Sequence, residues 1–395
     1  MRSGFRIGRI FGIDIRIDWS WVFIFILITW NLSSLFGDIH SNWGPFVQWG
    51  LALVAALLFF VSVLAHELAH SLVSQAQGTP VRGITLFLFG GVSNIQREPE
   101  TPRSEFLMAI LGPVTSLVIG FLLLILAGVG IDPNALQRAM EDPSGPLGQM
   151  GPVTTVLLWL GSVNMALGLF NLIPGFPLDG GRVLRSILWG ITDDLRRATR
   201  WASWVGQGIG WLMIISGIAM VFGAQIPFVG SGLVNGLWLA FIGWFLNNAA
   251  SRSYQKIVIH DILEGVPVER MVRTNPPTVA PDVSIEELVN KHIMQSDDQS
   301  FPVLDGDRLV GLITLGDVRS VSRNAWETTS VRDVMTPAQD LVTANADEDA
   351  SEALEKLTQL DVRQLPVMRD GALVGLLRRR DVIKWLQLHS KLNMG

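Results

Sequence analysis

His66, Glu67 and His70 stand in the order H-E-x-x-H within residues 51 to 77, a stretch apolar enough to cross a bilayer. Two imidazoles four residues apart share one face of a helix, where their ring nitrogens can converge on one Zn²⁺. The carboxylate between them can reach a water held there, so the spacing points to metal-assisted hydrolysis inside a membrane. Ionisable side chains at membrane depth are expensive and mark function. A solvated surface helix or a satisfied core histidine is the plain alternative. It fits poorly, because LALVAALLFFVSVLA leads directly into the motif and the whole chain holds six His. With no Cys, a thiolate zinc site and a disulfide framework are both excluded, and any metal must take N and O ligands.

A zinc hydrolase supplies three protein ligands and leaves one position open. The best third candidate is Asp179 in NLIPGFPLDGGR. Pro174 and Pro177 break the preceding helix and Gly180 and Gly181 let the backbone approach closely, which places the carboxylate on a non-helical turn closing the fourth apolar span. The same residues also read as a helix-terminating turn with a solvated Asp ahead of Arg182. Two segments look extended rather than helical. FGIDIRID alternates Ile13, Ile15 and Ile17 with Asp14, Arg16 and Asp18, and VRGITLFLFGGVSNI is β-rich around Gly90 and Gly91, which suggests a hairpin. Non-helical backbone at this depth must be buried in protein or line a wet cavity. An exposed edge here, with donors at residues 84 to 88, would let an unwound substrate add as a strand; an amphipathic connector is the alternative.

The elements that must position these groups are membrane helices. Hydrophobic residues make up 49% of the chain and charged ones 16%, with mean hydropathy +0.38. The polar residues concentrate after residue 265. Six spans, each near the roughly 20 residues a crossing helix needs, are expected at about 18–36, 51–77, 105–130, 152–174, 205–223 and 233–250. Twelve of the 14 Trp lie in this part, many flanking apolar runs as interfacial anchors do (Trp19, Trp21, Trp43, Trp49, Trp189, Trp201, Trp204). No small-residue cleavage site follows the first run, so it reads as a retained span. Arg2, Arg6, Arg9, Arg16, Arg82, Arg97, Arg103, Arg182, Arg185, Arg196, Arg197 and Arg200 fall on one side and Arg138 alone on the other. The positive-inside rule then puts both termini in the cytoplasm. A net charge of −5 without a basic tract gives no reason to expect nucleic acid as a partner.

Residues after 265 repeat with an offset of 64. Met271 and Met335, Pro302 and Pro366, Val303 and Val367, Gly311 and Gly375, and Asp317 and Asp381 all obey it. One such repeat cannot cover its own sheet, so two stack into a single module. The chain divides into a membrane domain over 1–250, a linker over 251–265 and the repeat pair over 266–389.

HELAH in an apolar span, FGGVSNI, AILGPVTSL and NLIPGFPLDGGR, in that order, resemble the site-2 protease family of intramembrane zinc metalloproteases, in its prokaryotic branch with C-terminal tandem CBS domains. The resemblance implies a polytopic α-helical membrane protein with membrane-associated strands and a cytoplasmic α/β tandem CBS module. It implies one Zn²⁺ on His66, His70 and Asp179, Glu67 as the group that activates water, and Asn171 and Pro177 in substrate handling beside the Gly90–Gly91 hairpin. The substrate would be a membrane-anchored protein, locally unwound before cleavage. CBS modules of this kind bind adenosine-containing ligands through a Ser/Thr and an Asp, which match Thr314 and Asp317. The second repeat keeps Asp381 but has Arg378 at the hydroxyl position. A pair that binds no ligand would serve as a docking module or join two copies in a homodimer. The rival functions are a CBS-regulated ion transporter and a metal-binding scaffold without turnover. Transporters show matched halves with corresponding broken helices, which are absent here, and a scaffold would not need Glu67.

Overall fold

Membrane crossing demands that every backbone polar group be satisfied within the segment, and six helices meet that demand by length and composition. They are α1 (Trp19–Ile39), α2 (Pro45–Ala76), α3 (Pro102–Val129), α4 (Pro152–Asn171), α6 (Leu195–Val221) and α7 (Leu233–Leu263), with a shorter α5 (Asp179–Thr192) between α4 and α6. The structure is a computed structural model and describes residues 4–88, 90–95, 99–129, 150–227, 230–296, 298–360 and 362–390. Arg2, Arg97, Arg138 and the expected end of the third span at residue 130 lie outside the described residues.

Local signals explain where these helices begin. Asp18 caps α1 by accepting from the Ser20 amide at 2.9 Å, and Asp194 caps α6 by accepting from Arg197 at 2.8 Å. Pro45 and Pro152 open α2 and α4 at the first turn, where a missing N–H is harmless. Inner faces pack small residues against large ones: Leu32 and Phe36 of α1 meet Ala52, Ala55 and Ala56 of α2 and Val156 of α4. Outer faces stay apolar and uncovered, as with Trp30, Phe121, Leu122, Trp211 and Leu212. Apolar surface on that scale is stable only against lipid. The chain is a multi-pass integral membrane protein.

Two expectations need correction, the placement of Asp179 and the free edge at 84–88. Asp179 does not lie on the turn that follows the fourth span but opens the next helix, α5, as its first residue. α7 runs to Leu263, so the expected linker is helical almost throughout, since no Gly or Pro interrupts 251–263 and Gly265 ends the run. The sheet has four strands, β1 (Gly4–Ile10), β2 (Ile13–Asp18), β3 (Val81–Phe87) and β4 (Gly90–Ile95), in the order β1-β2-β3-β4. Residues 84–88 therefore cannot offer a free edge, because β3 pairs with β2 in parallel and with β4 antiparallel. The edge beside the helices is β4. Ile13, Ile15, Val81 and Ile84 bury the sheet against Leu64 and Leu68 of α2, which ties its register to the helix bearing the His pair.

The chain divides into two compact units, Met1–Tyr254 and Gln255–Gly395. The second holds β5 (Arg273–Thr274), β6 (Ser300–Asp305), β7 (Arg308–Thr314), α8 (Leu315–Ser320), β8 (Thr336–Pro337), β9 (Ala344–Asn345), α9 (Ala350–Gln359), β10 (Gln364–Arg369), β11 (Ala372–Arg378) and α10 (Arg379–Ser390). Its sheets run β5-β11-β10-β9 and β6-β7-β8. Each repeat thus lends its first strand to the other: β5 joins β11, and β8 joins β7. The repeated glycines explain the exchange. A Cβ at Gly375 would lie 2.3 Å from Arg273 O, and one at Gly311 would lie 2.8 Å from Thr336 O, so any side chain there would push out the borrowed strand. Neither repeat completes its sheet alone.

Candidate metal centre

α2 presents His66 and His70, both at least nine-tenths buried, and α5 brings Asp179 to them across 113 and 109 residues of chain. His66 Nε2 and His70 Nε2 lie 3.2 Å apart, and Asp179 Oδ2 sits 3.0 Å from the first and 3.2 Å from the second. Among the described residues these three form the group of His, Asp and Glu side chains placed to hold a metal ion. Zn–N distances of about 2.0–2.1 Å in a tetrahedron put ligand atoms about 3.3 Å apart, which the triangle matches.

The far side of the His70 ring decides its tautomer. His70 Nδ1 is 2.6 Å from the Met108 carbonyl, an acceptor only, so Nδ1 carries the proton and donates. A neutral His70 then points its Nε2 lone pair at the His66 ring and at the Asp179 carboxylate. His66 Nδ1 meets Ser116 Oγ at 2.9 Å, a hydroxyl that can donate or accept, so this contact ties back the ring without fixing its tautomer. Three ligand atoms crowding one point suit a cation among them, and Nδ1 contacts of this kind orient metal-binding imidazoles. The residues fit zinc.

α3 supplies these supports because it can come close. A Cβ at Gly112 would lie 2.1 Å from His70 Nε2 and 2.8 Å from His66 Nε2, so only glycine leaves the triangle open. α5 is fixed in turn. Arg185 Nε donates to Glu105 Oε1 of α3 at 2.7 Å, with Glu105 fully buried and Arg185 5% exposed, and the guanidinium stacks 5.2 Å over Phe176. The turn before Asp179 contains a cis Phe176–Pro177 peptide. The Phe176 amide donates to Ala202 O of α6 at 3.4 Å. Gly181 is needed there, since a Cβ would meet Phe176 N at 2.3 Å.

Glu67 faces the sheet. Its Oε2 accepts from Ser93 Oγ of β4 at 2.8 Å, and Ser93 Oγ accepts from Ser71 Oγ at 3.0 Å. A Cβ at Gly91 would lie 2.4 Å from Glu67 Cγ, so the edge strand presses directly on this side chain. Gly90, at φ 126°, opens the same strand.

The other expected site residues are placed differently. Asn171 ends α4 and its Nδ2 donates to Leu167 O at 3.0 Å, a bond within its own helix. Pro177 shapes the turn that delivers Asp179. In the second unit, Thr314 and Asp317 form a capping box on α8, with Thr314 Oγ1 donating to Asp317 Oδ2 at 2.7 Å. Asp381 is gripped by Arg378, whose Nε and Nη2 donate to its two oxygens at 2.7 and 2.9 Å. Sequence reasoning missed Met108, Gly112, Ser116, Ser93 and the Glu105–Arg185 pair. AILGPVTSL and FGGVSNI contain Gly112, Ser116 and Ser93, but only helix crossing and strand pairing show which members face the metal centre.

The profile of peptidase family M50 matches residues 54–216, and that of the CBS domain matches 268–324 and 331–388. The chain is 37% identical over 390 residues to sll0528 of Synechocystis, covering 98% of this chain and 96% of that one. It is 34% identical over 395 residues to Rip3 of Mycobacterium tuberculosis, covering 98% and 94%. Both relatives are named as candidate zinc metalloproteases. The solved site-2 protease of Methanocaldococcus jannaschii aligns over 64% of this chain and 95% of its own at 28% identity, with a TM-score of 0.40. Matched end to end by such relatives, with the family profile spanning every side chain that converges on the metal centre, the chain belongs to peptidase family M50, the site-2 protease family of membrane zinc metalloendopeptidases, in its form with tandem CBS domains.

Proposed function

We propose that the protein cleaves membrane-anchored protein segments within the bilayer, with His66, His70 and Asp179 holding one Zn²⁺ and Glu67 moving the proton. The observation that carries this reading is the triangle of lone-pair atoms at 3.0 to 3.2 Å, each imidazole tied back through its Nδ1. Zinc bound there supplies Lewis acidity toward water and toward the scissile carbonyl. Glu67 takes the proton of the attacking water and returns it to the leaving amine. Ser93 holds the carboxylate through Oε2, which leaves Oε1 outside that bond for the proton.

An intact transmembrane helix shields its peptide bonds, so the substrate must unwind first. β4 offers it main-chain partners, because strand addition at a free edge satisfies an extended backbone. That edge lies against Glu67 itself, so a segment added there brings its peptide bonds to the base. Gly90 and Gly91 serve this docking by keeping the start of the strand free of side chains, Pro177 serves it by shaping the turn that carries Asp179, and Asn171 lies at the helix end ahead of that turn.

The catalytic domain occupies 1–250 and the repeat pair 266–389, joined through 251–265, with both termini cytoplasmic in a prokaryotic cell membrane. The repeat pair modulates cleavage, taking an adenine nucleotide at Thr314 and Asp317 or joining two copies of the chain. Metal analysis tests the ligand set. His66→Ala, His70→Ala and Asp179→Ala should each lose zinc, and a full complement of zinc in any of them would remove that residue from the set.

A further inference from the structure

Near the start of α6, Arg200 Nε and Ser203 Oγ are both shielded from solvent, and among the described residues neither has a hydrogen-bond partner. Ser203 is fully buried. A hydroxyl on a helix can donate to the carbonyl four residues back, as Thr199 Oγ1 does to Leu195 O at 2.7 Å. Ser203 does not. Among the described residues no carboxylate pairs with Arg200 either, whereas Arg197 on the same turn pairs with Asp194 at 3.0 Å. The Arg200 guanidinium lies 5.4 Å over the ring of Trp204, which is itself 59% exposed. Residues three apart share a helix face, so a charged donor and a neutral one stand together without an acceptor. Buried donors need one, and the charge on the first selects an oxyanion.

Depth says where that oxyanion comes from. The apolar run of α6 begins at about residue 205. Ser203 and Arg200 precede it by about 3 and 7.5 Å along the helix axis, and the polar layer outside the hydrocarbon core is about 5–7.5 Å thick on each side. The two donors therefore stand at the level of lipid headgroups. Trp201 and Trp204, 41% and 59% exposed, mark the same boundary. Deeper along the seam α6 and α7 close up, since a Cβ at Gly210 would lie 2.8 Å from Gly243 O. Arg196, Arg197 and Arg200 against Asp193 and Asp194 leave one net positive charge on this stretch.

We infer that Arg200 and Ser203 form a binding site for the phosphodiester of an anionic phospholipid, with guanidinium and hydroxyl donating to its oxygens. Arginine suits phosphate geometry, and basic pockets between membrane helices take lipid headgroups. The site does not rest on the zinc reading.

Native mass spectrometry of the full-length protein, stripped of lipid in detergent and titrated with phosphatidylglycerol, tests the inference through the Kd of the first lipid bound. Arg200→Gln should raise that Kd at least tenfold and Ser203→Ala severalfold. Arg200→Lys, which keeps the charge and loses Nε, should fall between wild type and Arg200→Gln. Arg197→Gln removes the same charge from the same turn and should leave Kd within twofold. Phosphatidylglycerol should also raise the unfolding temperature of wild type more than that of Arg200→Gln. Phosphatidylcholine should bind severalfold more weakly, and millimolar inorganic phosphate should not displace the lipid. Where Arg200→Gln fails to fold, Arg200→Lys and Ser203→Ala decide. Parental Kd in the Arg200 and Ser203 variants would overturn the inference, as would equal losses in Arg197→Gln and Arg200→Gln, the mark of diffuse charge. Displacement by inorganic phosphate would assign the site to a free anion instead. Lost cleavage in Arg200→Gln with lipid affinity unchanged would assign it to an acidic segment of the substrate.

Discussion

Gly112→Ala sets two effects of opposite sign against each other. Ala is favoured over Gly in a helix interior by about 0.8–1.0 kcal/mol, so propensity alone makes α3 more stable. The new methyl, however, would sit 2.1 Å from His70 Nε2, 2.4 Å from His70 Cε1 and 2.8 Å from His66 Nε2, well inside the roughly 3.5–4.0 Å of a comfortable contact. Relief requires His70 to leave its bond to the Met108 carbonyl, which costs about 0.5–1.5 kcal/mol, or α3 to withdraw from α2 at about 1–3 kcal/mol. Both movements distort the metal triangle. The steric effect reaches both the fold and the metal triangle, whereas the propensity effect offsets it only in the fold. We therefore expect zinc affinity to fall by about 1–3 kcal/mol, roughly five- to 150-fold in Kd, with thermal stability of the metal-free protein shifted less, because the gain in propensity offsets about 0.8–1.0 kcal/mol of the clash there. Chelator competition gives the Kd, and a thermal scan after metal removal gives the stability. A Gly112→Ala protein that holds one zinc with the parental Kd would refute the placement of α3 against the two imidazoles.

Arg185→Met should leave the buried Glu105 carboxylate only its 3.7 Å contact with Arg182 and destabilise the membrane unit by up to about 3–5 kcal/mol, with partial zinc loss; Glu105→Gln/Arg185→Met should recover much of both in thermal and metal assays. A Pro scan across 91–95 should abolish cleavage at alternate positions while zinc stays bound, and uniform activity across the scan would remove β4 as the docking edge. Asp349 caps α9 by accepting from Ser351 at 2.8 Å and from the Gly265 amide. Burial pushes its carboxyl up, but the hydrogen bonds from Ser351 and Gly265 prevail and hold it below the ordinary range. A depressed carboxylate stabilises above its unfolded pKa of about 3.9 and loses that contribution as pH falls through the folded value. Asp349→Ala should thus destabilise the second unit by about 1 kcal/mol near neutral pH, with the difference from wild type closing below about pH 4 in a pH series of thermal unfolding.

The spans were legible because a bilayer demands some twenty apolar residues in a row, a signature few other constraints mimic. The His pair was legible for a similar reason, since four residues of helix fix its geometry. Asp179 was reached only through the Pro and Gly residues around it, and α5 escaped because it opens on Asp-Gly-Gly, poor helix formers that hide its start. β1 escaped as well: GFRIGRI is exposed along its whole length and carries no alternation. Strand order was out of reach because β2 and β3 pair in parallel across two intervening membrane helices. Met108 contributes a backbone carbonyl, which no side-chain motif can announce. The 64-residue repeat, by contrast, located Gly311 and Gly375 before the strand exchange that explains them.

The central claim is that Glu67 moves the proton at a zinc centre it does not help to hold. Detergent-purified wild type and Glu67→Gln, assayed side by side for zinc content and for cleavage of a membrane-anchored substrate, test it most directly. About one zinc per chain in both, with cleavage in the wild type and none in Glu67→Gln, is the predicted result. Wild-type cleavage by Glu67→Gln, or loss of its zinc, would contradict the account.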